Sequence, residues 1–91
     1  MNSTKNTKKI PYGKISTTAE LGRLVRQSRK AAGVLQVDAA GMSGVGVRFL
    51  SELERGKPTV ELGKVLQVLQ RLGLEIWIAP RGHSLGGGGN G

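Results

Sequence analysis

The chain has 91 residues and no Cys, a length that fits one small domain and a composition that excludes disulfides, thiolate zinc sites and thiol catalysis. Its 14 Lys and Arg residues against 6 Asp and Glu give a formal net charge of +8, which favours a polyanionic partner, although a basic surface also serves solubility alone. Aromatic residues make up only 3% of the chain, too few for the stacking platforms of single-stranded nucleic-acid binders, so the composition favours duplex DNA over RNA.

Residues 1–16 are polar and basic, with Lys residues but no apolar residues at helical spacing. We predict that this segment is a flexible basic arm. Two interpretations remain open. The arm lies along the phosphate backbone or in a minor groove of DNA, or it is a solvated tail without a partner.

A helix is predicted to begin after Thr17. The run from Thr17 to Glu20 has the spacing of a capping box, in which each of these two side chains accepts a hydrogen bond from the backbone N–H of the other. Apolar residues then recur at helical spacing, and Gly33 ends the helix as its C′ residue. These apolar residues are Leu21, Leu24, Val25, Ala31 and Ala32.

The stretch 36–57 predicts two short helices joined by a glycine-rich turn. The first helix runs over residues 36–42, the turn over residues 43–46, and the second helix over about residues 47–55, with Gly56 as its C′ residue. Two helices joined in this way follow the helix-turn-helix plan, in which the second helix lies in the major groove of DNA.

A fourth helix is predicted to end at Leu72, before Gly73. Thr59 is its predicted N-cap, and Glu61 is favourably placed in its first turn. Its apolar residues form one stripe, which indicates a face packed on the core. The stripe consists of Leu62, Val65, Leu66, Leu69 and Leu72. The predicted helix-turn-helix domain therefore spans residues 17–73.

Residues 74–79 alternate strictly and give the only strand signal in the sequence. A lone strand leaves its backbone groups unpaired, so we predict that it pairs with the same strand of a second chain across a two-fold axis. An extended segment packed on the helices without pairing is the alternative. The predicted dimerisation residues are Leu74, Ile76, Trp77 and Ile78, and residues 80–91 form a Gly-rich tail predicted to be disordered.

The central stretch resembles the Xre/Cro/CI-type helix-turn-helix family over about residues 21–72. The likeness rests on Gln36 opening the first helix, Ala40 at its centre, Gly44 at the turn and the closing Glu54-Arg55-Gly56, together with Leu50 and Leu53. The run 48–59 (RFLSELERGKPT) and the strand that follows the last helix look like a narrower branch, the HipB-type antitoxins of HipBA toxin–antitoxin operons.

This resemblance implies an all-α, lambda-repressor-like bundle of four to five helices, with one C-terminal β-strand pairing across a dimer. It also implies a sequence-specific transcriptional repressor that binds an inverted-repeat operator of its own operon and neutralises a HipA-type serine/threonine kinase toxin. Two alternatives remain: a phage-type or stand-alone repressor without a toxin partner, and a module that acts mainly through protein interactions. The chain departs from the family pattern at Leu35, where a capping Ser or Thr is usual, and at Gly41 inside a helix.

By the family's docking, the N-terminal residues of the second helix face base edges. Arg48 can bond bidentately to guanine, or it can contact a phosphate. Val47 can meet a thymine methyl group, or it is simply packed or exposed. Ser51 can donate or accept and adds little discrimination by itself. Gly46 occupies a position near DNA where the family often has Ser or Lys, so one side-chain contact is missing.

Phosphate contacts are predicted at the edge of the motif. Gln36 matches the family's phosphate-clamping glutamine at a helix N-terminus, where exposed amides and the helix dipole also attract an anion. Arg29, Arg55 and Lys57 flank the motif and could neutralise phosphate charge without reading sequence. Arg55 could instead pair with Glu52, Glu54 or another acid.

The sequence predicts no enzyme, no cofactor and no metal site. His83 is the single histidine, and no Ser-His-Asp set, P-loop or complete dinucleotide fingerprint can be assembled. No apolar run is long enough to span a bilayer and no signal peptide is visible, so we expect a cytoplasmic protein.

Overall fold

The computed structural model describes residue 10 and residues 12–82, and this part of the chain contains four α-helices. They are α1 (Thr18–Ala31), α2 (Gln36–Ser43), α3 (Val47–Glu54) and α4 (Leu62–Arg71). The predicted all-α fold is confirmed. Four to five helices were predicted, and the described part contains four. Most of the predicted arm (1–16) and tail (80–91) lies outside the described residues. No helix within the described part is long and apolar enough to cross a membrane.

Helix α1 begins with the predicted capping box. The hydroxyl of Thr17 accepts from the Glu20 N–H at 3.1 Å, and the Glu20 carboxylate accepts from the backbone N–H groups of Ser16 at 2.6 Å and Thr17 at 3.1 Å. These bonds, that from Ser16 first, lower the pKa of the Glu20 carboxyl. At the other end Gly33 has φ +73°, the left-handed conformation of a C′ residue.

Helices α2 and α3 form the predicted helix-turn-helix. Gly44 ends α2 in the left-handed conformation, with φ 74°, and the Val45 N–H donates to the Ala40 carbonyl at 3.0 Å. The chain then enters α3 through Gly46, whose φ of −76° is open to any residue. The left-handed turn redirects the chain and lets the two helices share one core.

All four helices contribute to a single core, which joins α1 to the helix-turn-helix and α4 to α2. Its buried residues are Val25, Ala39, Ala40, Leu50, Leu53, Val65, Val68 and Leu69. Leu50 and Leu53, predicted to line the inner face of α3, are among the most buried side chains in the structure. Helix α3 is therefore fixed by its inner face while its outer face stays free.

The predicted N-cap of α4 is wrong, and its predicted core stripe is right for Val65 and Leu69 but wrong for Leu62 and Leu66. The helix begins at Leu62, with Glu61 rather than Thr59 as its N-cap. Its core face includes Val68, whereas Leu62 and Leu66 are 63% and 45% exposed. Apolar residues surround much of this helix, so the sequence spacing fits two neighbouring faces and only packing against α2 selects one.

The segment after α4 has neither helical nor strand hydrogen bonds within the described chain. Leu74 packs against the core, and its N–H donates to the Leu69 carbonyl at 2.8 Å. Beyond it, Ile76, Trp77 and Ile78 are 50%, 70% and 93% exposed. Pairing of this segment with a second chain stays a prediction, because a single chain offers no partner strand.

Gly22 lets α1 pack directly on the C-terminal end of α3. A Cβ on Gly22 would lie 2.7 Å from the Glu54 carbonyl oxygen and 2.9 Å from the Gly56 nitrogen, and still closer to the Leu53 carbonyl oxygen. Thr18 reinforces this contact, because its hydroxyl donates to the Gly56 carbonyl at 2.8 Å. Backbone lies against backbone here, so the space cannot be enlarged by turning a side chain.

We therefore expect Gly22→Ala to destabilise the protein by about 1–3 kcal/mol, since the added methyl group displaces the end of α3. Gly41→Ala is the matched control. Gly41 lies inside α2 with open space around its Cβ position, so the same change should stabilise the protein by about 0.5–1 kcal/mol. Urea unfolding of both variants measures the two effects. A destabilised Gly41→Ala variant, or a neutral Gly22→Ala variant, would contradict this account.

Candidate nucleic-acid interface

A buried ion pair joins α1 to the end of α3. The guanidinium of Arg29 donates to Glu54 through Nε at 2.6 Å and through Nη2 at 3.0 Å. The two side chains are only 9% and 2% exposed. The bond to Glu54 raises the pKa of Arg29, so this guanidinium stays charged. Bidentate geometry makes this the strongest polar contact between the helices.

The same pair fixes the start of α2. Arg29 Nη1 donates to the Val34 carbonyl at 2.8 Å, in the loop before α2, and Gln36 Nε2 donates to Glu54 Oε1 at 3.0 Å. We call Arg29, Glu54 and Gln36 the buried polar cluster. It links α1, α2 and α3 through one carboxylate.

The cluster changes the interpretation of Arg29. A phosphate contact was predicted for this residue, but its guanidinium points into the protein and is bonded to Glu54 and Val34. The structure therefore does not support that contact. The sequence contains a signal for this position: Arg29 lies four residues after Val25 on the buried face of α1, where a charge requires a buried partner.

Gln36 lies at the N-terminus of α2, as predicted, and is half-buried. A carboxylate only accepts hydrogen bonds, so Glu54 turns the amide nitrogen of Gln36 inward. The second hydrogen on Nε2 and the oxygen Oε1 remain for an external group. A phosphate clamp at Gln36 stays a prediction, with its side chain held in place by the buried polar cluster.

The N-terminus of α3 is exposed. Gly46 is its N-cap, and no side chain of the described residues caps it. Val47 is 43% exposed, and the side chain of Arg48 is 90% exposed. The predicted reading residues therefore project from a helix end whose backbone N–H groups also point outward.

Glu52 forms ion pairs with two basic side chains. Its carboxylate accepts from Arg48 Nε at 3.3 Å and from Lys57 Nζ at 3.2 Å. The bond from Lys57, followed by that from Arg48, lowers the pKa of the Glu52 carboxyl. Surface pairs of this kind are weak. Arg48 and Lys57 are thus both held beside Glu52 without being tightly bound.

Arg55 folds back along α3. Its Nη1 donates to the hydroxyl oxygen of Ser51 at 2.7 Å, one turn earlier. The possible pairing with Glu52 or Glu54 is not observed; Glu54 is instead bonded to Arg29 and Gln36. The sequence alone did not identify Glu52 and Glu54 as the acids that organise this surface.

A helix-turn-helix domain family matches residues 20–76 of this chain. The sequence is also similar to an uncharacterised HTH-type transcriptional regulator, y4mF, from Sinorhizobium fredii. The two are 52% identical over 70 residues, which cover 77% of this chain and 92% of that protein. The region that the family matches covers α1 from Glu20 onward, all of α2, α3 and α4, and the start of the C-terminal segment.

Solved structures share the fold. A HipB–O4 20mer complex matches with a TM-score of 0.71 at 21% identity, over 77% of this chain and 99% of the matched chain. A HipA–HipB–O2–O3 complex matches over the same fractions with a TM-score of 0.70 and 21% identity. The restriction-modification controller protein C.AhdI from Aeromonas hydrophila matches with a TM-score of 0.58 at 29% identity, over 64% of this chain and 84% of its own.

The buried polar cluster predicts that Glu54→Gln is strongly destabilising. The change keeps the side-chain shape but leaves the Arg29 charge buried without a counter-charge, which should cost about 3–5 kcal/mol. Glu52→Gln is the matched control, because it removes a surface carboxylate from the same helix and should cost little. Chemical denaturation compares the two. Equal losses would mean that the buried pair contributes no more than a surface pair.

Proposed function

The chain is an HTH-type transcriptional regulator that belongs to the helix-turn-helix domain family, and from this premise we propose that it is a dimeric repressor of its own operon. One observation carries the proposal. The exposed N-terminus of α3, with Val47 and Arg48, lies in a helix-turn-helix whose α2 terminus presents Gln36, and the buried polar cluster holds both helices in position. A duplex is the ligand that such an arrangement fits.

In the proposed complex α3 lies in the major groove with its N-terminal end facing the bases. Arg48 reaches base edges, and Val47 offers an apolar contact to a thymine methyl group. Gly46 has open space around its Cβ position, so the backbone can approach the DNA closely there. Gln36 and Lys57 contact phosphates at the edges of the groove, which positions the domain without reading sequence.

The C-terminal segment is the proposed dimer interface. It runs beside α4 and forms with it an open groove with a volume of about 410 Å³, lined in part by Leu66, Leu69, Leu74 and Trp77. The exposed Ile76, Trp77 and Ile78 leave more apolar surface than a short segment normally presents to water. We assign residues 17–73 to DNA binding and residues 74–79 to pairing with a second copy.

The finer proposal is that the chain is the antitoxin of a HipBA-type operon and that its partner is a HipA-type serine/threonine kinase. The fold shared with HipB in the HipB–O4 20mer complex and in the HipA–HipB–O2–O3 complex supports it. A stand-alone regulator is the second candidate, and the likeness to the controller protein C.AhdI at 29% identity favours it. A kinase-fold gene beside this gene would favour the antitoxin, and its absence would favour the stand-alone regulator.

Sequence-specific repression predicts that the protein prefers DNA from immediately upstream of its own gene over scrambled DNA by at least ~10³-fold, at every salt concentration. Arg48→Ala should reduce this preference by about 1–3 kcal/mol. Arg23→Ala is the control: it removes one exposed charge from α1 and should leave the ratio between the two DNAs unchanged. Fluorescence anisotropy during a salt titration gives these ratios.

The proposal fails if both DNAs bind equally and the binding fades steeply with salt. That result would assign the affinity to the net charge of +8 alone.

Dimerisation through the C-terminal segment predicts that Ile78→Asp converts the protein from a dimer to a monomer. Ile78 is 93% exposed in the single chain, so the change should not disturb the fold. Val37→Asp is the control, because Val37 is an exposed apolar residue on α2, away from this segment. Sedimentation equilibrium at operator-binding concentrations measures the mass. A wild-type monomer under these conditions would rule out the dimer.

A further inference from the structure

The hydroxyl of Ser51 has a defined role in this structure. A serine hydroxyl can donate one hydrogen bond and accept two. Here its oxygen already accepts from Arg55 Nη1 at 2.7 Å, so its hydrogen is directed away from Arg55. The adjacent positive charge also polarises the O–H bond and makes it a better donor. Ser51 therefore presents a donor at the surface of α3.

Arg48 presents donors as well. Its contact with Glu52 uses Nε, and its Nη1 and Nη2 groups make no hydrogen bond within the described residues. The end of the guanidinium that carries these two nitrogens can therefore reach a base edge while Glu52 still holds Nε. With 90% of the Arg48 side chain exposed, nothing in the described part of the chain covers that end.

The Glu52 carboxylate, which lies beside Arg48 on α3, already accepts two hydrogen bonds. Glu52 accepts from Lys57 through one oxygen and from Arg48 through the other, and its side chain is only 20% exposed. A free carboxylate here would accept from the amino group of cytosine. The two cations instead hold Glu52 below the surface from which Arg48 projects.

We propose that the reading surface of α3, formed by Val47, Arg48 and Ser51, presents mainly hydrogen-bond donors and one apolar contact, and therefore favours acceptor-bearing bases. In the major groove guanine presents two acceptors, N7 and O6, whereas cytosine presents the N4 donor. Guanine facing Arg48, and a purine N7 or thymine O4 facing Ser51, satisfy these donors. Cytosine facing Arg48 meets only donors, and cytosine facing Ser51 meets an oxygen that already accepts from the Arg55 cation. This inference rests on the proposed DNA-binding function and specifies which bases of the half-site face Arg48 and Ser51.

Arg55 then acts as a positioning residue for base reading. It lies one turn after Ser51, is exposed, and makes its described hydrogen bond to the Ser51 hydroxyl. A phosphate contact alone would affect all sequences equally. Positioning of Ser51 would instead affect the discrimination between bases at one place in the half-site.

Selection from a random duplex library with the full wild-type chain tests the inference. The expected half-site has guanine facing Arg48 and an acceptor-bearing base facing Ser51. Replacing that guanine by 7-deazaguanine removes N7 and should weaken wild-type binding about five- to 100-fold, but should hardly affect Arg48→Ala. No enrichment at all would refute the proposed DNA-binding function. An enriched half-site that has cytosine at these positions, or whose binding does not change on 7-deaza substitution, would overturn only the proposed preference for acceptor-bearing bases.

A double-mutant cycle tests the role of Arg55. The readout is the ratio of affinities for the selected duplex and for its 7-deazapurine or deoxycytidine variant at the base facing Ser51. Arg55→Ala should lower this ratio severalfold in the wild-type background and should not change it further in a Ser51→Ala background. If Arg55→Ala weakens binding to both duplexes equally and leaves the ratio intact, Arg55 is a phosphate contact and the positioning role is wrong.

Discussion

The buried ion pair between Arg29 and Glu54 sets the position of the recognition helix. Either charge alone in the interior would be strongly destabilising, so the two residues must meet, and they meet only when α1 lies against the end of α3. Gln36 joins the same carboxylate and brings the start of α2 into the arrangement. The three helices that present the proposed DNA-binding surface are therefore aligned by one polar cluster, while the apolar core supplies most of the driving force.

Local signals in the sequence were sufficient to predict the helix-turn-helix. The capping box from Thr17 to Glu20, the left-handed Gly44 and the helical periodicity each act within a few residues, so spacing alone reveals them. The predicted end of α2 differs from the observed one by a single residue. The sequence left open whether Val47 is packed or exposed, and the structure shows it 43% exposed.

What the sequence could not provide depends on partners that are distant or absent. The partner of Arg29 is 25 residues away, so the sequence could not identify Glu54 as the acid that pairs with this arginine. The buried face of α4 depends on α2, because Val68 and Leu66 are equally apolar in the sequence. Arg55 has several acceptors within reach, and only the structure selects Ser51. The C-terminal segment lacks its predicted partner strand, which would belong to a second chain.

The contact between Gly22 and the end of α3 makes each helix-turn-helix a stiff unit. Backbone packed on backbone, beside the buried polar cluster, leaves the recognition helix little freedom to tilt when it meets DNA. In a dimer joined only by the C-terminal segments, the distance between the two helix-turn-helix units on the duplex would be set by that interface. If that distance differs from the spacing of the two half-sites, the DNA would have to twist or bend to fit. The cost of this deformation depends on the sequence, so bases that the protein never touches would contribute to its choice of site.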